Sequence, residues 1–119
     1  DDLRCRHFSF IINKKRIISI GYNSQKTHPA NLKYNYFTQT GEDIRRFVGV
    51  HSELSAILKY GKDDCSDCTF VNVRIDRKNN IAMSKPCLGC QSLLQQVGFK
   101  KVYYTTDQGN FIAWDKNNL

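Results

Sequence analysis

Two prolines, Pro29 and Pro86, one methionine and one tryptophan are all that the 119 residues hold of these types. So little proline excludes a proline-rich linker, and no internal repeat or low-complexity tract stands out. Long apolar runs are missing too. The longest, Phe8–Ile12, stops at Asn13, far short of the roughly 20 residues that a membrane-spanning helix needs, so no membrane partner is expected. The opening Asp-Asp-Leu-Arg has no secretion-signal pattern, which points to the cytoplasm, the nucleus or another reducing compartment, with cytoplasmic the first choice. Acidic residues are the scarcer charge, 11 against 18 lysines and arginines, for a net charge of +7. That excess suits a phosphate-bearing ligand, a nucleotide or a nucleic acid. The cations are scattered, however, as Lys14, Lys15 and Arg16, then Arg45 and Arg46, then Lys100 and Lys101, and ordinary surface charge accounts for them equally well.

What is present describes one globular domain over residues 1–119. Hydrophobic residues make up 40% and charged residues 24%, and 13.8 kDa leaves no room for a second domain of ordinary size. The five cysteines are the informative count. An odd number without a secretion signal argues against a disulfide framework. Four of them form two Cys-x-x-Cys pairs, Cys65/Cys68 and Cys87/Cys90, and Cys5 stands alone. Such spacing most often means metal.

Along the chain, Phe8–Ile12 and Arg16–Tyr22 flank the polar turn Asn13-Lys14-Lys15 and predict a β-hairpin. From Asn23 to about Thr40 the chain is polar and broken by His28-Pro29, so it is expected to be loop. Between Gly41 and Tyr60 the apolar positions Ile44, Phe47, Val48, Leu54, Ile57 and Leu58 predict helix, interrupted at Gly49 and ended by Gly61. Thr69–Ile75 alternates as a strand, Asp76–Asn80 makes a turn and Ile81–Met83 a short strand. Cys87–Val97 has helical spacing, with Pro86 in its first turn and Gly98 closing it. Lys101–Thr105 is a further strand, and the rest is a polar tail anchored by Phe111, Ile112 and Trp114. Strands alternating with helices imply an α/β fold with parallel neighbours in a mixed sheet of about five strands.

His51-Ser52-Glu53 opens one helical stretch and Pro86-Cys87-Leu88-Gly89-Cys90 the next. A Cys-x-x-Cys at a helix N-terminus carries both sulfurs on one turn, where unsatisfied N–H groups and the helix dipole favour thiolate. One imidazole more gives zinc three protein ligands and a fourth position for water, as in catalytic sites. Glu53 is close enough to that water to move its proton without being a ligand.

The pattern H-x-E … P-C-x-x-C resembles the zinc nucleobase deaminases of the cytidine/deoxycytidylate deaminase superfamily, over most of the chain. Ile18-Ser19-Ile20-Gly21-Tyr22-Asn23 is similar to their second strand and Gly-Tyr-Asn loop. His51-Ser52-Glu53-Leu54 with Ala56-Ile57 is similar to their H-A-E helix. Ser84-Lys85-Pro86-Cys87-Leu88-Gly89-Cys90 is similar to their metal-binding turn, and Lys101–Tyr104 to the strand after it. The resemblance implies a three-layer α/β/α sandwich and hydrolytic deamination. His51, Cys87 and Cys90 would hold Zn2+. Glu53 would carry a proton to the ring nitrogen and then to the leaving ammonia. Ser52 and Ser84 would hold the base edge, and Asn23 the sugar or base. A deoxycytidylate-like pyrimidine nucleotide or nucleoside is the first substrate expectation. A cytosine or adenine in single-stranded DNA or RNA is the alternative, and a catalytically silent zinc-binding module the third reading. A homo-oligomer is possible, since relatives commonly assemble.

Two departures accompany the resemblance. Only seven residues precede Phe8, so either the family's first helix is short or missing here or the chain has been trimmed. The stretch 23–50 has no second metal motif, so no allosteric nucleotide site is implied. Cys65 and Cys68 are expected at the start of the third strand, away from the zinc motif, as structural cysteines, with a second metal or a disulfide as the other readings. Lys26, His28, Arg45 and Arg46 are loop or surface residues that a sugar or phosphate could also engage. Alternation on the last strand should bury one of Tyr103 and Tyr104 and leave the other for a base.

Overall fold

The computed structural model describes residues 6–23, 51–62 and 64–115. Strand β1 (Arg6–Asn13) and strand β2 (Arg16–Tyr22) form the expected antiparallel hairpin. Lys14 and Lys15 both take positive φ, the left-handed pair that a two-residue turn needs to match strand twist. Opposite Ile11 and Ile12 the register shifts by one residue, leaving Ile18 of β2 unpaired as a bulge. Helix α1 (Ser52–Tyr60) follows, then β3 (Thr69–Ile75), β4 (Ile81–Ala82), α2 (Leu88–Val97), β5 (Lys101–Thr105) and β6 (Phe111–Ala113). The helix expected from Gly41 therefore begins at Ser52 among the described residues; its earlier part, with Arg45 and Arg46, lies outside them, as do Cys5, Lys26 and His28.

Strand order is β2-β1-β3-β5-β6, with β4 paired to β3. Among the described residues only β3 and β5 run parallel, joined by the β4–α2 crossover. Among the described residues the mixed sheet expected with about five strands has six. The additional strand comes from the segment read as an anchored polar tail. Thr106-Asp107-Gln108-Gly109-Asn110 turns tightly, closed by Thr106 N–H to Asn110 carbonyl at 2.9 Å, and returns Phe111–Ala113 antiparallel against Tyr103–Thr105. Three exposed residues carry too little alternation to signal a strand; backbone pairing with β5 makes it one. Trp114 anchors the tail against the core as expected, its N–H bonded to the Val102 carbonyl at 2.8 Å. Tyr103 and Tyr104 are both half-buried. The expectation that one would be buried fails because Tyr104 lies over the polar Asn72, near the sheet's open end, and not over the apolar core.

One face of the sheet is closed. Ile11, Phe70 and Val102 stand in register across three strands and pack with Leu54 and Ile57 of α1 and Leu93 and Leu94 of α2 in a single core cluster. Both helices lie on this face, and no described helix covers the other, where Phe8, Phe10, Val71 and Val73 are half-buried. The third layer of the expected sandwich is therefore not among the described residues. Helix α1 lies close on β2: Ser19 Oγ donates to the Ala56 carbonyl at 2.7 Å, and Gly21 faces the α1 backbone directly. Gly61 and Gly98 end the two helices in the left-handed conformation, each returning its N–H to the last turn. Among the described residues no helix is long and apolar enough to cross a membrane.

Candidate active site

The two helices start side by side at the end of the sheet where β3 and β5 finish. His51 is the N-cap of α1 and Cys87 the N-cap of α2, both in extended conformation and neither capping its helix with its side chain. Helix α2 therefore begins one residue later than expected, and Pro86 precedes its cap instead of lying in the first turn. Cys87 still gives α2 its first backbone bond, from Gln91 N–H at 2.8 Å, while its sulfur is left to point outward. Cys90 comes three residues on, fully buried beneath it.

These placements bring His51 Nδ1 to 3.4 Å from Cys87 Sγ and 3.3 Å from Cys90 Sγ. The three atoms lie within 4.8 Å of one another. Zinc bonds of about 2.0 Å to nitrogen and 2.3 Å to sulfur at a tetrahedral angle put those atoms about 3.5 Å apart, so the donor set fits the metal in chemistry and spacing. The electrostatics agree. The Cys90 thiol donating to Cys87, helped by the His51 ring, pulls the Cys87 thiol down to about 4, into the thiolate form. The same hydrogen bond to Cys87, together with burial, pushes Cys90 well up. His51 is raised because its ring bonds the Cys87 sulfur. A cation held among the three donor atoms takes the place of the protons they carry.

Glu53, 6% exposed, projects from the first turn of α1 into a buried polar cluster. Its Oε2 accepts a hydrogen bond of 2.8 Å from Asn72 Nδ2 on β3, and its Oε1 lies 3.3 Å from Ser52 Oγ. Ser52 Oγ is in turn 2.7 Å from Ser9 Oγ of β1. Ser84, also buried, has its hydroxyl bonded to the Asn72 carbonyl at 2.9 Å and its N–H to the Thr105 carbonyl at 2.9 Å; its carbonyl takes Asn72 Nδ2 at 3.2 Å. Asn23 lies at the end of β2, where its Oδ1 accepts the His7 N–H at 3.1 Å. Of the seven residues given a role at the site, His51, Cys87 and Cys90 converge, Glu53 and Ser52 lie beside them, Ser84 joins through Asn72, and Asn23 is bonded to the backbone of β1 instead.

The sequence of residues 6–106 matches the family described as the cytidine and deoxycytidylate deaminase zinc-binding region. The chain belongs to this deaminase family. Its solved structural neighbours include the dCMP deaminase of the cyanophage S-TIM5 in its apo form, at 17% identity and a TM-score of 0.52. The same enzyme in complex with dCMP and dUMP gives 18% identity and a TM-score of 0.51. In both cases 84% of this chain aligns and spans 65% of the other, so the likeness is one of fold. No curated protein is similar enough in sequence to count as a match.

Against that family background, three residues of this deaminase-family site escaped the sequence reading: Asn72, Ser9 and His7. Asn72 and Ser9 occupy inward positions of strands whose other inward residues, Phe70 and Ile11, are core. A polar residue at an inward strand position is the signal that could have found them. His7, one inward step from Ser9, is lowered by burial and feels the charges of Glu53, Arg74, His51 and Cys87, so it borders the same site. Cys65 and Cys68, buried at the far end of α1, are tied by a backbone turn of 2.9 Å and by a 3.7 Å contact of Cys68 Sγ with Tyr60 Oη. Among the described residues, the set suited to a metal is His51, Cys87 and Cys90.

Proposed function

We propose that this domain, taken as residues 1–119, is a zinc-dependent hydrolytic deaminase of a pyrimidine nucleotide or nucleoside, with deoxycytidylate as the first substrate. His51, Cys87 and Cys90 hold the zinc and Glu53 is the catalytic acid–base. The observation that carries this reading is the meeting of an imidazole nitrogen and two cysteine sulfurs at 3.3–3.4 Å beside a buried, anchored carboxylate. Zinc held there supplies Lewis acidity, which lowers the pKa of a coordinated water to about 7. Glu53 then takes a proton at Oε1, returns it to the ring nitrogen, and passes the second to the departing ammonia. Water is consumed, the exocyclic amine leaves as ammonia and a carbonyl replaces it.

Asn23, next to the end of β2, where it accepts the His7 N–H, contacts the sugar or base. Ser52 and the Ser84 carbonyl, which keeps a second lone pair, line the base edge. The dCMP- and dUMP-bound neighbour of the same fold supports a pyrimidine monophosphate. The net charge of +7 supports the second reading, a cytosine or adenine in single-stranded nucleic acid. A silent zinc module is the less favoured reading, because a carboxylate, Glu53, is present beside the three metal donors.

The test is ammonia release by the zinc-loaded protein from cytidine, deoxycytidine, their monophosphates, adenosine and single-stranded oligonucleotides, with Glu53→Ala as the blank. Turnover of deoxycytidylate that the blank lacks is the expected result. Conversion of the oligonucleotide alone moves the assignment to nucleic acid. Equal silence of protein and blank at full zinc occupancy rejects catalysis on this panel.

A further inference from the structure

Asn72 stands in the middle of β3 on the closed face of the sheet, 2% exposed, and every polar atom of its side chain is engaged. Nδ2 donates to Glu53 Oε2 at 2.8 Å and to the Ser84 carbonyl at 3.2 Å, and Oδ1 accepts the Ser9 hydroxyl at 2.5 Å. The amide can face only one way. The Ser84 carbonyl is an acceptor and nothing else, so nitrogen must turn toward it and oxygen toward Ser9.

Proton counting then fixes the rest of the cluster. Ser9 has one hydroxyl proton and gives it to Asn72 Oδ1, so the 2.7 Å contact between Ser9 and Ser52 is donated by Ser52. Ser52 has one proton for two contacts, Ser9 at 2.7 Å and Glu53 Oε1 at 3.3 Å, so what it offers Oε1 is the longer and weaker of the two. Of the two carboxylate oxygens, Oε2 is pinned by an amide at 2.8 Å, whereas from Asn72, Ser9 and Ser52 Oε1 meets only the 3.3 Å contact of the Ser52 hydroxyl. The cluster thus distinguishes two oxygens that are chemically alike.

We infer that Asn72 is the positioning residue of Glu53: its amide, locked in orientation by Ser9 and the Ser84 carbonyl, anchors Oε2 so that Oε1 faces the reacting proton. The inference rests on the deaminase reading above. A glutamate has three side-chain torsions to restrain, and a misplacement near 1 Å costs on the order of a hundredfold in rate. An anchor on a central strand removes that freedom before substrate arrives. A purely structural polar network tying β1, β3 and α1 together would show the same bonds but would not act through Glu53, and this difference is what the experiment reads.

In the zinc-loaded protein, Asn72→Ala should lower kcat about a hundredfold with KM within about threefold. Ser9→Ala, which frees the amide to turn, should lower kcat several-fold in the same pattern. Both should keep about one zinc per chain. In a Glu53→Gln background, Asn72→Ala should cost nothing further, since its effect passes through the carboxylate. Should Asn72→Ala fail to fold, Ser9→Ala alone and in the Glu53→Gln background carries the same comparison. An independent readout is the Asn72 side-chain NH2 pair in the 1H–15N spectrum, which Glu53→Gln should shift. Loss of zinc and of activity in step, additive losses in the Glu53→Gln background, or an NH2 pair that ignores Glu53→Gln overturns the inference. If the unaltered protein turns over nothing on the panel, the deaminase reading fails, and the response of the NH2 pair still decides whether Asn72 holds Glu53.

Discussion

Gly21 on β2 and Ala56 on α1 meet at a point that admits no side chain. A Cβ placed on Gly21 would lie 2.3 Å from the Ala56 backbone nitrogen and 2.3 Å from the Ser52 carbonyl oxygen. Neither is the end of a flexible side chain, so the helix itself would have to move. Since α1 carries His51, Ser52 and Glu53 on its first turn, this glycine sets the depth at which the candidate site is built. Gly21→Ala is therefore expected to destabilise the protein by at least about 2 kcal/mol. That corresponds to a fall in Tm of roughly 10 °C, with weaker zinc retention, checked by thermal melts with and without metal.

Metal retention should depend on all three converging residues. Cys90→Ala, at a fully buried position, or His51→Ala is expected to take zinc from about one per chain to near none, measured by metal analysis after gel filtration. A chelator should lower the Tm of the unaltered protein and leave that of these variants where it was. Zinc that stays stoichiometric in both variants would rule out the assigned ligand set.

The lowered Cys87 thiol gives a pH prediction for the metal-free protein. With its value near 4, Cys87 is thiolate at pH 6, whereas an ordinary thiol near 9.0 is almost wholly protonated there. Iodoacetamide should therefore label Cys87 first at pH 6, lose that reaction as the pH falls through about 4, and be blocked by added Zn2+. Cys90, shifted the opposite way and buried, should resist. The linkage has a definite sign. Because the folded value lies below the unfolded one, the thiolate's contribution to folding is complete above pH 9.0, shrinks below it, and is gone once the pH has passed about 4. Peptide mapping of the labelled protein checks the order of reaction.

The other Cys-x-x-Cys pair should behave as core. Cys65 and Cys68 are 0% and 1% exposed, and Cys68 touches Tyr60, whose hydroxyl is pushed up to about 12 by that contact. Cys68→Ser, which places a second hydroxyl against Tyr60 in an apolar cluster, is expected to cost about 1–2 kcal/mol of stability. The zinc content should stay at about one per chain. A drop from two zinc ions to one would instead establish a second metal site at this end of α1.

The motif residues were legible because local geometry alone gives them meaning. His51 with Glu53, and Cys87 with Cys90, stand on single helical turns whose spacing needs no tertiary contact to interpret. The hairpin was legible from the apolar runs Phe8–Ile12 and Arg16–Tyr22 flanking a polar turn, and Thr69–Ile75 from its alternation, since a strand's two faces are written in steps of two. The sixth strand was not. Phe111–Ala113 has no buried residue and becomes a strand only by pairing with β5. Asn72 and Ser9 were hidden differently: 63 residues apart, they become neighbours because β1 and β3 pair in the register that sets one opposite the other.

The sequence by itself thus determined the chemistry available to this protein, a histidine, two cysteines and a carboxylate at two helix starts. Only the tertiary structure decided how that chemistry is held. Sheet register and helix docking bring together groups that no local spacing relates, and an amide on β3 can single out one oxygen of a glutamate on α1 only after the core has closed around both.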